Sequence, residues 1–299
     1  MKARSVVKIG NSYYVSLPKK WVLTHELDRG AQVYVKPRND GVIEIVPSIS
    51  TGTKPLTKRI QLTKFVEREI FSAYLAGYDV IIIEDVGSKL REAPLSQVLD
   101  RIQHLLVGLE VVEERGDRVV LQCFIREDYE IGQIIVRMDA LARSMYLDAM
   151  KSLLTDDQEL ARSVIKRDDR LDRLYFLTVR LLRKLVGKPT LDLDKKVRLL
   201  DYRLLVRELE EIGDMAEEIV CKKKELKVDE NALKVAKSIA ELEKELIHTI
   251  VKSTSCSKFN PLVLTNLKDK IKAKASSYSV YSYLVGIIRK LEDIADLLS

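Results

Sequence analysis

The sequence is poor in the residues from which many metal, redox and hydrolytic centres are built. It has three cysteines and three histidines in 299 residues. Cys123, Cys221 and Cys256 are far apart and show no CxxC spacing, so neither a disulfide framework nor a zinc ribbon is expected. His25, His104 and His248 are equally scattered, which argues against a histidine metal site or a Ser-His-Asp arrangement. Glycine is also scarce, and no phosphate-cradling Gly-rich loop occurs. No run approaches the roughly 18 apolar residues of a membrane span, and MKARSVVKIGNS lacks the apolar stretch of a signal peptide. The expectation is a cytoplasmic chain.

What is present is a helix-rich balance, with 46% hydrophobic and 32% charged residues. The length suffices for two or three domains. A net charge of +6 and a pI near 9.0 favour anionic partners such as nucleic acid or a membrane surface.

Residues 1–50 alternate as short strands, with Val7 and Ile9, then Tyr13, Val15 and Leu17, then Val33 and Val35, then Val42, Ile43 and Ile45. Gly10-Asn11-Ser12, Asp28-Arg29-Gly30 and Asn39-Asp40-Gly41 supply the turns. Pro18 introduces a short helix over Lys19–Leu27. Such a unit buries little apolar surface alone, and without metal ligands or cysteines dimerisation is its remaining route to stability. The KIGNS turn, the LPK helix start and the final EIVP strand resemble the SpoVT/AbrB-like family. That resemblance implies an intertwined swapped-hairpin dimer that binds duplex DNA, a module also seen in addiction-module antitoxins. Arg4, Lys8, Asn11, Ser12, Lys19 and Lys20 cluster on the first hairpin and the helix start and are the candidate DNA contacts.

A Ser/Thr/Gly/Pro-rich stretch around residues 51–58 predicts a linker. Residues 58–128 then read as a small α/β domain of unknown role, either ligand-sensing or a spacer. Its expected elements are an amphipathic helix over Gln61–Ala76, a strand over Asp79–Ile83, a helix over Pro94–Val107, and two strands over Leu109–Glu114 and Arg118–Ile125 joined at Arg115-Gly116-Asp117.

From residue 129 onward apolar stripes recur at three- and four-residue spacing, beginning with Ile131, Ile134, Ile135, Met138, Leu141 and Met145. Further stripes over Leu160–Val186, Lys195–Val220, Ala232–Val251 and Val280–Leu298 predict an antiparallel bundle, interrupted at Gly187-Lys188-Pro189 and Asn260-Pro261. LEEIGDMA at 209–216 repeats as LEDIADLL at 291–298, which suggests two three-helix units over about 129–225 and 229–299.

LEEIGDMAEEI and RDDRLDRLY resemble the third- and second-helix motifs of PhoU, the phosphate-uptake regulator. With the first module, the whole chain resembles an archaeal-type phosphate-uptake regulator. The fold class expected is multi-domain and mainly α: a swapped-hairpin β module, a small α/β linker domain, and a six-helix PhoU-like double three-helix bundle. The resemblance implies carboxylate-bound metal at Asp168, Asp172, Glu210 and Asp214, with Glu292 and Asp296 as their counterparts in the second repeat, where only Asp269 offers a partner motif.

The residues themselves leave the cation open. Like-charged i,i+4 pairs repel unless something compensates, and Arg167, Arg170, Arg173 or Arg207 could do so as well as a metal. An all-oxygen set would suit Mg, Mn, Ca or Fe. The leading functional expectation is a non-enzymatic DNA-binding regulator whose helical domain senses phosphate status, a phosphate transporter or a phosphate-signalling protein. The alternative is an inhibitor of phosphate transport that acts only through protein contacts, and a metal-dependent phosphohydrolase ranks below both.

Overall fold

A computed structural model describes residues 3–37, 41–47, 55–84, 95–126, 128–188, 191–252, 259–276 and 279–298. Asn39, Asp40, most of the expected linker, Pro94, Pro189 and Cys256 lie outside the described residues. The chain divides into two compact units, Met1–Lys54 and Pro55–Ser299.

In the first unit β1 (Val6–Ile9) pairs antiparallel with β2 (Ser12–Val15), and β3 (Val33–Pro37) with β4 (Ile43–Pro47). Gly10, at φ +61°, makes the first tight turn possible. Helix α1 spans Lys19–Thr24 and is shorter than the Lys19–Leu27 expected. It ends because the chain turns left-handed at Glu26, φ 49°. None of the described residues between 3 and 47 is buried, and Val6, Val7, Ile9, Tyr13, Tyr14 and Val15 lie exposed on both faces of the first hairpin.

The second unit begins with a four-stranded sheet in the order β5-β6-β8-β7, made of β5 (Thr57–Gln61), β6 (Val80–Glu84), β7 (Leu109–Glu114) and β8 (Arg118–Cys123). β5 and β6 run parallel, and the other pairs are antiparallel. Helices α2 (Val66–Leu75) and α3 (Leu95–Leu105) share a core with the sheet through Ile70, Tyr74, Ile81, Ile83, Ile102 and Leu121. Strand β5 was not expected, and it takes Thr57 and Lys58 out of the linker and Gln61 out of the helix. Its signal is weak because Ile60 is its only buried residue.

Six helices follow: α4 (Ile131–Thr155), α5 (Gln158–Val186), α6 (Leu193–Cys221), α7 (Glu230–Lys252), α8 (Leu262–Lys272) and α9 (Val280–Ala295), closed by a 3-10 turn at Asp296–Leu298. Four of their starts carry side-chain caps, at Asp157, Asp192, Asp229 and Ser279. Asp157 accepts from the backbone N–H of Glu159 and Leu160, and Asp192 from that of Lys195. The apolar stripes of all six form one continuous core, with Met138, Met145, Leu171, Leu205, Leu209, Ile239, Leu284 and Leu291 fully enclosed.

The sheet is bolted to this bundle by Arg180 of α5, which is 2% exposed. Its guanidinium donates to the Tyr74 carbonyl at 2.6 Å and to Asp79 Oδ1 at 3.3 Å, and Lys184 reaches the same carboxylate at 2.7 Å. Residues 58–128 therefore form part of the same compact unit as the helices. A buried guanidinium costs several kcal/mol when unpaired, on the order of 3–5. This joint can form only when both halves are folded against each other.

Candidate metal centre

Asp168 and Asp172 stand one turn apart on α5, and Asp214 faces them from α6. One carboxylate oxygen from each lies within 4.8 Å of the others. Two features of the sequence place them there. The i,i+4 spacing sets Asp168 and Asp172 on one face of α5, and Gly213 lets α6 approach. A Cβ at Gly213 would meet Leu171 Cδ2 at 2.2 Å, well inside contact distance.

Among the described residues, none of the four arginines that could have neutralised this cluster pairs with Asp168, Asp172 or Asp214. Arg167 donates to Ser144 Oγ at 2.9 Å and Asp148 Oδ2 at 2.7 Å, and Arg173 donates to the His104 carbonyl. Arg207 takes Glu210 at 3.0 Å and Glu211 at 2.8 Å. Arg170 is exposed and forms no ion pair among the described residues. Of the four expected ligands, Glu210 alone is thus satisfied by an arginine. It is 8% exposed and sits beside the cluster rather than within the three-carboxylate group. Asp168 Oδ1 is buried with no hydrogen-bond partner. An orphaned buried carboxylate oxygen facing two further carboxylates is the arrangement a cation would complete.

The electrostatics carry the same strain. Burial, followed by repulsion from Asp172, Glu217, Asp214 and Asp169, pushes Asp168 up to about 7. Burial and Asp214 push Asp172 up to about 6. Glu210 rises to about 7 despite Arg207, and Asp214 and Glu217 are also raised, chiefly by burial. Asp169 and Glu217 contribute to this acidic field, although the sequence reading did not single them out. LEEIGDMAEEI showed Glu217 three residues after Asp214, on the adjoining turn.

Asp168 ordinarily titrates near 3.8 and here near 7, so between those values the folded state binds a proton that the unfolded state does not. Stability of the metal-free protein should therefore fall as pH rises through that window, because native carboxylates ionise against one another. In thermal unfolding with chelator present, Asp168→Asn should flatten this dependence relative to the parent. An unchanged dependence would show that the cluster is already neutralised.

The second repeat does not reproduce the site. Glu292 accepts from Lys268 Nζ at 2.7 and 2.5 Å and from Thr265 Oγ1 at 2.8 Å, so an ammonium occupies the place expected for a metal. Asp296 is not a mid-helix residue like Asp214. It is the C-cap of α9, where the helix tightens into a 3-10 turn. Asp269 is no ligand in the three-carboxylate group, and its neighbour Lys268 was the informative residue.

In the first unit Arg4, Lys8, Asn11, Ser12, Lys19 and Lys20 are all exposed. Arg4 Nη1 donates to Ser16 Oγ at 3.2 Å, and the Lys8 ammonium lies 5.8 Å from the centre of the Tyr13 ring. Asn11 sits with Gly10 at the hairpin tip, and Ser12 is the first residue of β2. In the β1–β2 register Lys8 pairs with Tyr13 and Ser12 with Ile9, so Lys8 and Ser12 emerge on opposite faces.

Two family models match parts of this chain. The PhoU domain matches residues 135–222, and the antidote-toxin recognition family MazE, bacterial antitoxin, matches residues 6–52. The chain thus carries a MazE/AbrB-like N-terminal domain and a C-terminal PhoU domain, and both families are regulatory. No curated protein matches the chain. Among the described residues, no helix is long and apolar enough to cross a membrane.

Proposed function

We propose that this protein is a non-enzymatic, DNA-binding regulator of phosphate uptake, in which the hairpin module reads duplex DNA and the PhoU domain senses phosphate status or a transporter partner. The observation that carries this reading is the joining of the two domains in one chain. Homodimerisation through the hairpins is supported by their exposed apolar faces, which a second copy would cover. Arg4, Lys8, Asn11, Ser12, Lys19 and Lys20 would be the DNA contacts of such a dimer, with Lys8 and Ser12 contributing from opposite faces of strands presented to a groove as β-ribbon proteins present theirs.

In the PhoU domain, Asp168, Asp172 and Asp214 would hold one hard or borderline cation. The ion would supply positive charge to a face otherwise held together against its own repulsion. No catalytic step is assigned to it.

Genome-wide occupancy mapping tests the whole reading: enrichment upstream of phosphate-transport genes is expected, and a flat profile would favour the inhibitor that acts through protein contacts alone. In vitro, affinity for the enriched duplex should fall with salt by about 0.9 log units per neutralised phosphate per log unit of salt. Lys8→Ala should reduce that slope by about one contact. An unchanged slope removes Lys8 from the interface.

A further inference from the structure

Helix α6 carries an apolar pattern that the bundle core does not use. Leu193, Val197, Leu200 and Leu204 are 59%, 49%, 56% and 56% exposed, while the neighbouring Leu205 is fully buried. Their spacings of four, three and four residues follow the d-a-d-a rhythm of a coiled-coil seam, and at 100° per residue they fall within an arc of about 60°. Single exposed leucines are ordinary, but four in seam register along three turns of one helix are not.

The charges beside this stripe are sorted by sign. Lys196 and Arg203 flank one side, and Asp194, Asp201 and Glu208 flank the other. Two copies of the helix paired in parallel about a two-fold axis would set each basic flank against the other's acidic flank, with Lys196 facing the residue five positions on, Asp201 of the second copy. Antiparallel pairing would oppose like charges. Within its own chain Arg203 donates to Tyr175 Oη at 3.1 Å and Glu208 is held by Lys290 at 2.9 Å. Lys196 and Asp201 form no ion pair among the described residues, so this pair remains available. The seam ends at Arg207, which occupies the next seam position and turns back to Glu210 and Glu211.

We propose that the N-terminal half of α6 is a parallel homodimerisation seam, distinct from the hairpin module. The occupant is a second copy of this chain, chosen by the self-complementary flanks. Three turns span only about 16 Å, so the seam is a small interface and its association by itself is weak.

Disulfide trapping in the full chain tests it. Leu193→Cys and Leu204→Cys, each alone under mild oxidation, should give dimers whose 193–193 and 204–204 linkages are mapped by peptide mass spectrometry, which separates them from products of the native cysteines. Lys196→Glu should slow both severalfold, and Lys196→Glu/Asp201→Lys should restore the rate. A 193–204 linkage in a mixture of the two variants, without the like-to-like products, would mean antiparallel pairing and overturn the proposal. So would the absence of any linkage at these positions, or a rate indifferent to the charge changes. The substituted side chains are exposed or half-buried, and circular dichroism of each variant verifies that the bundle is intact.

Discussion

Replacing Asp168 and Asp214 together by Asn should abolish metal uptake while leaving helicity nearly unchanged. Each contributes an oxygen to the group of three whose ligand atoms lie within 4.8 Å, and the double change leaves Asp172 as the only carboxylate in it. Outer-shell substitutions around metals cost about 10–100-fold in affinity, and loss of two direct ligands should exceed that. The fold should survive because the side chains are isosteric and the mutual repulsion that raises Asp168 and Asp172 disappears. Titration with Mn or Fe, read by calorimetry beside circular dichroism, gives both quantities. Uptake that persists at parental affinity would place the ion elsewhere. Loss of helicity alongside uptake would mean that the carboxylates serve the fold itself.

Gly213→Ala should lower both stability and metal affinity, the opposite of what an alanine ordinarily does in a helix. A glycine in a helix interior usually costs about 1 kcal/mol against alanine, so a plain helical position would gain on substitution. Here the added methyl would sit 2.2 Å from Leu171 Cδ2, with Met145 Cε at 3.5 Å. Leu171 and Met145 are fully buried and have little room to yield. Overpacking of this kind costs about 1–3 kcal/mol, which offsets the propensity gain or exceeds it. Relief by separating α5 from α6 would carry Asp214 away from Asp168 and Asp172, so affinity should drop with stability. A raised melting temperature with unchanged affinity would refute this account of the helix contact.

The long helices were legible because their stripes persist over many turns. Leu160–Val186 and Lys195–Val220, read from spacing alone, lie within helices at Gln158–Val186 and Leu193–Cys221. Strand β5 was hidden because one buried residue cannot declare a period. At the site, i,i+4 spacing placed Asp168 beside Asp172, but spacing cannot say which carboxylate an arginine will take. That depends on side-chain reach across helices, as when Arg167 of α5 takes Asp148 of α4, whereas Arg207 meets Glu210 and Glu211 at the i,i+3 and i,i+4 spacings of its own helix. Gly213 went unread because an isolated glycine inside a helix looks like a weakness. The repeat offered a hint, since Gly213 stands where the second copy of the motif has Ala295, so the two positions need not be equally crowded.

Lys268 gives the two repeats different relations to their surroundings. An ammonium tethered to the chain cannot be diluted, chelated or exchanged, so Glu292 keeps its counter-charge whatever the solution contains. Asp168, Asp172 and Asp214 of the first repeat have no such tenant among the described residues, and a cation held by them would have to come from solution. With a cation held there, one half of the helical domain would be insulated from ionic supply and the other half exposed to it. A fluctuation in that supply would reach the molecule on the α5–α6 side alone.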